Sequence, residues 1–273
     1  MNPATEILET WLQERLGLSA KAALIDVGAY HGDFTASLRD RGVFKQAHLF
    51  EPNPQNIKHL EARFAQDRDV ALHRCAMGSH SGSANFFCSS DPATGSVLPY
   101  LGSAEGVGKQ SVAQNTLDDW WLQSTGPDVG LIKIDTQGAD LDVLQGAEKT
   151  VARFRPWIVA ELIFVPLYRG QARPGALLSW AESRDYRMTG LFNEHRTPTG
   201  CIAFADAVLA PVEKLDDEDP NFVARPAIES LGRQIAELRG VCDERLALIE
   251  RLHDEAEKRL QIIRQLTGSR PGA

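Results

Sequence analysis

Four short apolar runs, each closing on a carboxylate, constrain this chain more than any other feature. Ala22–Ile25 ends at Asp26, Ala47–Phe50 at Glu51, Val129–Ile134 at Asp135, and Trp157–Ala160 at Glu161. Helical patterns around 33–41 and 54–66 separate the early runs. Strands that alternate with helices predict parallel strands joined by crossovers and covered on both faces. The near-continuous apolar character of the runs fits that double burial. In open α/β sheets ligands bind at the carboxyl edge. One acid there could be a helix cap and nothing more; four in register point to a binding edge.

Composition narrows the class. The 273 residues carry 29 basic and 37 acidic side chains, a net charge of −8, so no cationic excess exists to release counterions from a nucleic-acid backbone. A hydrophobic share of 43% suits a soluble fold. No run approaches the roughly 20 apolar residues of a membrane span. The opening MNPATEILETWLQERLG lacks the basic head and apolar core of a signal peptide, which predicts a cytoplasmic protein. Cys75, Cys88, Cys201 and Cys242 show no paired spacing, which disfavours a zinc site or a disulfide framework.

Residues 1–19 predict an amphipathic helix opened by Pro3, with Ile7, Leu8, Trp11, Leu12 and Leu16 at helical spacing and Gly17 as its stop. A domain over 20–210 follows. An acidic linker over 211–225 holds five acids and one base between Glu213 and Asp219, punctuated by Pro211, Pro220 and Pro226. Residues 226–267 then repeat every seven positions, ahead of a tail over 268–273. Ile228, Ile235, Cys242, Ile249, Ala256 and Ile263 form one seam; Leu231, Leu238, Arg245, Leu252, Arg259 and Leu266 form the other. That pattern predicts a coiled-coil helix and a homo-oligomer, with back-packing on the domain as the alternative.

The segment Leu24 to Thr35 reads as strand, glycine turn and helix start. Gly28 permits a sharp turn and close backbone approach to a ligand, and Gly32 lets the next helix begin tightly. The turn offers backbone N–H groups to an anionic group such as an amino-acid carboxylate. A dinucleotide fingerprint needs glycines two and then three residues apart, and Tyr30 and Asp33 stand there instead. Asp26-x-Gly28-x-x-x-Gly32 suits S-adenosylmethionine, whose ammonium needs an acid and whose tail lacks phosphate. Glu51, 25 residues after Asp26, can accept hydrogen bonds from vicinal ribose hydroxyls.

Asp26-Val27-Gly28-Ala29, Phe50-Glu51-Pro52-Asn53-Pro54, Thr116-Leu117-Asp118-Asp119 and the block Ile132 to Asp140 occur in an order that resembles FkbM-family methyltransferases. Leu141 to Ala147 and Glu161 extend the similarity, which covers about 20–210. The resemblance implies a class I methyltransferase fold, a Rossmann-like, doubly wound, mostly parallel sheet, and an S-adenosylmethionine-dependent O-methyltransferase. Its acceptor would be a carbohydrate or a secondary metabolite. Tyr30 departs from the family's usual Asn. The cofactor-binding set on this reading is Asp26, Gly28, Ala29, Tyr30, Gly32, Glu51, Pro52, Ala76 and Asp135.

For catalysis the first candidate is Asp135, as base or as the group orienting the acceptor, against a role capping the helix near Ala139. Glu161 could bind an acceptor hydroxyl or a metal, or pair with Lys133, and His31 in the glycine turn, an imidazole whose ordinary pKa is near neutral, could act as base. Tyr168, Gln171 and His195, the last placed in a late polar loop, are candidates for binding the acceptor. No compact motif supports a metal. The Gly-, Ser- and Pro-rich stretch 88–110 predicts a lid or substrate loop, and Trp120 and Trp121 a helix packed on the sheet. Two alternatives stay open: an NAD(P)-dependent oxidoreductase, and a non-catalytic cofactor-binding scaffold with an oligomerising stalk.

Overall fold

The computed structural model describes residues 3–16, 19–88, 92–102, 108–122 and 128–215. The coiled coil over 226–267, most of the acidic linker and the tail lie outside the described residues. A first compact unit runs from Met1 to Leu215.

Its centre is a seven-stranded sheet. Strands β1 (Ser19–Val27), β2 (Phe44–Phe50), β3 (Val70–His73), β7 (Val129–Ile134) and β8 (Trp157–Ile163) are parallel, and β9 (Tyr186–Arg196) and β10 (Ile202–Pro211) complete it in the order β3-β2-β1-β7-β8-β10-β9. β10 is antiparallel to both of its neighbours. This is the doubly wound, mostly parallel α/β architecture expected from the alternation. The order reverses beside β1, which is where such sheets open a crevice for ligands.

Alternation along each strand feeds two cores. Ile25, Ile132, Ile158, Ala160 and Leu209 pack on one face with α5 (Asp140–Gln145), α6 (Glu148–Phe154) and α7 (Pro174–Glu182). Leu24, Leu131, Val159 and Val208 pack on the other with Leu8 and Leu12 of α1 (Pro3–Leu16), Phe34 and Leu38 of α2 (Asp33–Asp40), and Leu60 of α3 (Pro54–Arg63). Trp121 of α4 (Leu117–Leu122) is buried in the first core, and Trp120 packs against it, as their sequence predicts.

Three local expectations change. β8 continues two residues past Glu161, because β10 extends the ladder by pairing Asp206 with Glu161 and Phe204 with Ile163. Asp26 is the penultimate residue of β1, opposite Lys133 of β7. His195 lies in strand β9 rather than a loop: pairing with β10 overrides its polar surroundings, and Asn193, at φ 52°, takes up a register shift. A second sheet, β4-β6-β5, joins β4 (Ala76–Met77), β5 (Gly82–Cys88) and β6 (Gly108–Asn115).

Candidate active site

The glycine turn after β1 is fixed by sterics. Gly28 has φ 76°, and a Cβ on it would stand 1.9 Å from the carbonyl oxygen of Asp135. The Gly28 N–H instead donates to the Phe50 carbonyl at 2.9 Å, and the Asp135 N–H to that of Val27 at 2.9 Å. The ends of β1, β2 and β7 are thereby drawn together. Tyr30 also has a positive φ, 50°. Asn tolerates that region better than Tyr, so the departure at this position carries a backbone cost.

Glu51, 4% exposed, follows β2 and is gripped from two sides: the Tyr30 N–H donates to Oε2 at 3.0 Å and the Asn53 N–H to Oε1 at 2.8 Å. Burial outweighs those donors and pushes its pKa up to about 7. Asn53 also caps α3 by accepting from the Gln55 N–H.

Asp135 follows β7. Lys133 Nζ donates to its Oδ2 at 3.2 Å and Gln137 Nε2 to its Oδ1 at 2.9 Å. Both of these donors are side chains, and the N-cap position of α5 is taken by Ala139, which makes no side-chain cap hydrogen bond. Lys133 is held between Asp135 and Asp26, 3.8 Å from Asp26 Oδ1, and the two carboxylates raise its pKa against the opposing effect of burial. Burial and the charges of Asp135, Asp140 and Asp206 push Glu161 well above the usual carboxylate range. Asp140 is buried and raised to about 7 by burial and by Asp135. It accepts from Thr136 Oγ1 at 2.8 Å and from the Glu161 N–H at 3.0 Å.

These groups border one cavity of about 640 Å³. Among the candidates from sequence, Gly28, Tyr30, Glu51, Pro52, Ala76, Asp135, Glu161, Tyr168 and His195 line it. The described part of the 88–110 stretch supplies a wall through Thr94, Gly95, Val97 and Tyr100. It is fastened where Tyr100 bridges Tyr168 and the Leu101 N–H donates to the Leu167 carbonyl at 2.8 Å.

Other candidates lie outside the lining. Asp26 is fully buried beneath the turn, where Thr35 Oγ1 donates to its Oδ2 at 2.6 Å. Ala29 is buried as well, and Gly32 opens α2 against Phe64. His31 stacks on Tyr30 and lies tilted against His59, outside the lining, and burial lowers its pKa. Gln171 spends its amide on the backbone: Oε1 accepts from the Leu167 and Tyr168 N–H groups at 2.8 Å, and Nε2 donates to the Val165 carbonyl at 2.9 Å. It shapes the loop that carries Tyr168.

Gln137, Phe86, Tyr100 and Phe204 line the cavity without having been singled out from sequence. Gln137 left a signal, a polar residue between Asp135 and Gly138, and Tyr100 lay in the 88–110 stretch read as a lid or substrate loop. Among the described residues no group of three or more His, Cys, Asp or Glu side chains is arranged to hold a metal. None of their helices is long and apolar enough to cross a membrane.

The sequence pattern of the methyltransferase FkbM domain matches residues 26–188. The 2-O-methyltransferase NoeI of Sinorhizobium fredii (strain NBRC 101917 / NGR234) is 26% identical over 168 residues, covering 57% of this chain and 69% of the relative. A methyltransferase FkbM from Methylobacillus flagellatus KT aligns at 19% identity and a TM-score of 0.44, over 69% of this chain; the chain spans 43% of that structure's length. An rRNA methylase from Streptococcus thermophilus aligns at 12% identity and a TM-score of 0.45, over 76% of this chain and 95% of that one.

Proposed function

The chain belongs to the FkbM methyltransferase family, and on that premise we propose that it is an S-adenosylmethionine-dependent O-methyltransferase acting on a hydroxyl of a carbohydrate or secondary-metabolite acceptor. Family membership displaces the oxidoreductase alternative. One observation carries the proposal: the Gly28 turn, the Glu51 carboxylate and Asp135 border the same cavity.

The cavity's residues fit the cofactor. The Gly28 turn lies tight against the Asp135 carbonyl, which a Cβ would meet at 1.9 Å, and Glu51, which takes donors from the Tyr30 and Asn53 N–H groups and the Asn56 side chain, keeps acceptor capacity for a ribose hydroxyl. Phe50, Met77 and Phe86 offer an apolar wall for a purine. When bound, the cofactor supplies an electrophilic methyl group: an oxygen–methyl bond forms as the sulfur–methyl bond breaks, with its electron pair left on sulfur.

Asp135 receives the acceptor's hydroxyl proton, with Lys133 Nζ 3.2 Å from its Oδ2. A positioned base contributes about 10²–10⁴-fold, and holding the reacting atoms in line contributes on the order of 7 kcal/mol or more. Tyr168, His195 and Glu161 border the acceptor's side of the space. Two further elements of the proposal are a cytoplasmic location and self-association through residues 226–267.

Calorimetry with S-adenosylmethionine and with NADH, followed by methyl transfer to pooled sugar acceptors, tests this reading. Heat with the first ligand alone, and methylation lost in Asp135→Asn while cofactor binding persists, are the expected results. Binding of NADH in its place overturns it.

A further inference from the structure

Strand β6 is largely exposed, yet Gln114 within it is only 5% exposed. Its Nε2 donates to the His80 carbonyl at 3.0 Å, and no donor among the described residues reaches its Oε1. A buried acceptor left without a donor is unfavourable unless a ligand or a water supplies one. Gly78 keeps the amide within reach, because a Cβ there would stand 2.9 Å from Nε2 and 3.2 Å from Oε1. Its φ is not in the left-handed region, so space and not backbone conformation calls for glycine. Both residues line a second cavity, of about 260 Å³. Asn85, Asp142, Ser83 and His80 bring further polar groups to it, and Ala84 and Ala139 an apolar lining. Neither Asn85 nor Asp142 spends its side chain on a hydrogen bond to a described residue, so both keep their capacity open.

The lining selects a chemistry. Amides, hydroxyls and one carboxylate suit a ligand rich in hydroxyl groups, which both donate and accept. No Lys or Arg lines the space among the described residues, so a phosphate or carboxylate ligand would meet Asp142 with no cation to offset it. The volume falls below the roughly 300–1,000 Å³ of pockets for drug-sized ligands, which leaves room for a single ring. The space also abuts the larger cavity, since Met77 and Val97 border both. Thr136 and Gln137 line the larger one, and Ala139 and Asp142, a few residues on, line the smaller. Ser96 Oγ, beside Val97, ties these segments together by donating to the Gln137 carbonyl at 2.8 Å. We propose that the second cavity is a carbohydrate subsite that takes a neutral sugar unit next to the one methylated, so that the acceptor is an oligosaccharide. This rests on the methyltransferase reading above and deepens it by naming the acceptor's class.

Side-chain amide NMR of the nitrogen-labelled full chain tests the assignment without turnover. The probes are the methyl glycosides of glucose, galactose, mannose, fucose and N-acetylglucosamine, with glycerol as control. At least one glycoside should shift the amides of Asn85 and Gln114, and glycerol at the same concentration should not. Cellobiose, lactose and maltose extend the test: a disaccharide that shifts those two amides should also shift that of Gln137, which lines the larger cavity. Asn85→Ala and Asp142→Ala each remove one polar contact from an exposed position, where the fold tolerates the change. Each should weaken glycoside binding about three- to tenfold, the size of one hydrogen bond. Amides of Asn85 and Gln114 that no glycoside moves, equal shifts with glycerol, or variants that titrate as wild type would overturn the subsite. Disaccharides that leave the Gln137 amide unmoved would overturn its link to the acceptor. Calorimetry of wild type with S-adenosylmethionine keeps the two readings apart: absent cofactor binding defeats the methyltransferase reading, whereas the shifts at Asn85 and Gln114 still decide the subsite.

Discussion

Glu9 gives the sharpest test of the energetics. It sits on α1 between Leu8 and Leu12, is 0% exposed, and neither carboxyl oxygen meets a donor from another residue. Burial raises its pKa from 4.5 to about 7, with Arg41 and Lys133 pulling the other way and Asp206 adding to the rise. A raised folded-state pKa means that the folded chain holds the proton more tightly than the unfolded chain. The stabilising contribution is therefore complete below pH 4.5 and is lost as pH rises through about 7. At about 1.4 kcal/mol per pH unit the gap corresponds to about 3 kcal/mol, and relaxation around an ionised group brings a working value of about 2 kcal/mol.

Glu9→Gln removes the ionisation and keeps the shape. Its carboxamide brings a desolvation cost of its own, but one that does not vary with pH. Glu51, Asp140 and Glu161 impose the same sign of pH dependence on both proteins and cancel in the comparison. Relative to wild type, the variant should gain about 2 kcal/mol between pH 5 and pH 8.5, or roughly 4–8 °C in Tm for a domain of this size. Scanning calorimetry of both proteins at several pH values reads that difference directly. A Tm difference that stays constant from acid to alkaline pH would show that Glu9 is not held protonated, and the burial argument for α1 would fail with it.

Three further outcomes follow from the packing. Gly28→Ala places a Cβ 1.9 Å from the Asp135 carbonyl at φ 76°; left-handed strain of about 1–2 kcal/mol and overpacking of about 1–3 kcal/mol should lower Tm and abolish the heat of cofactor binding. Gly146→Ala meets the Gly78 carbonyl at 2.0 Å but lies outside the cavity lining, so a loss of about 1–3 kcal/mol in denaturant titration should leave cofactor affinity intact. Removing residues 216–273 should keep cofactor binding, since the site lies wholly in the unit that ends at Leu215, and should lower the mass measured by light scattering.

How much of this was legible beforehand depended on how local the cause was. Gly28 and Glu51 could be read from sequence because a turn and a strand-end acid are set by their immediate neighbours. The parallel core could be read because doubly buried strands such as Val129–Ile134 carry apolar residues on both faces. β6 could not: in Gly108–Asn115 only Gln114 is buried, so its pattern has no apolar alternation. The burial of Asp26 could not be read either, since Lys133, its cross-strand neighbour, is 107 residues away. The same holds for Glu161, whose place inside β8 is decided by β10. The contacts of Gln137 could not be read either, because Tyr168 and Glu161 are brought to it by other elements.

The surplus of acids around the cavity has a thermodynamic consequence of its own. Glu51 is poised at about 7 by burial, so a cationic ligand entering beside it lowers that pKa and drives off a proton. Linkage then requires S-adenosylmethionine to bind more tightly as pH rises through 7, with proton release on the order of half a proton near neutrality. The ionised carboxylate is also the better acceptor for ribose hydroxyls, which acts in the same direction. Calorimetric enthalpies measured in buffers of different ionisation heat should therefore diverge in wild type and converge in Glu51→Gln. Enthalpies that are independent of buffer in wild type would mean that Glu51 is already fully ionised or never meets the cofactor, and the two are separated by whether Glu51→Gln weakens binding.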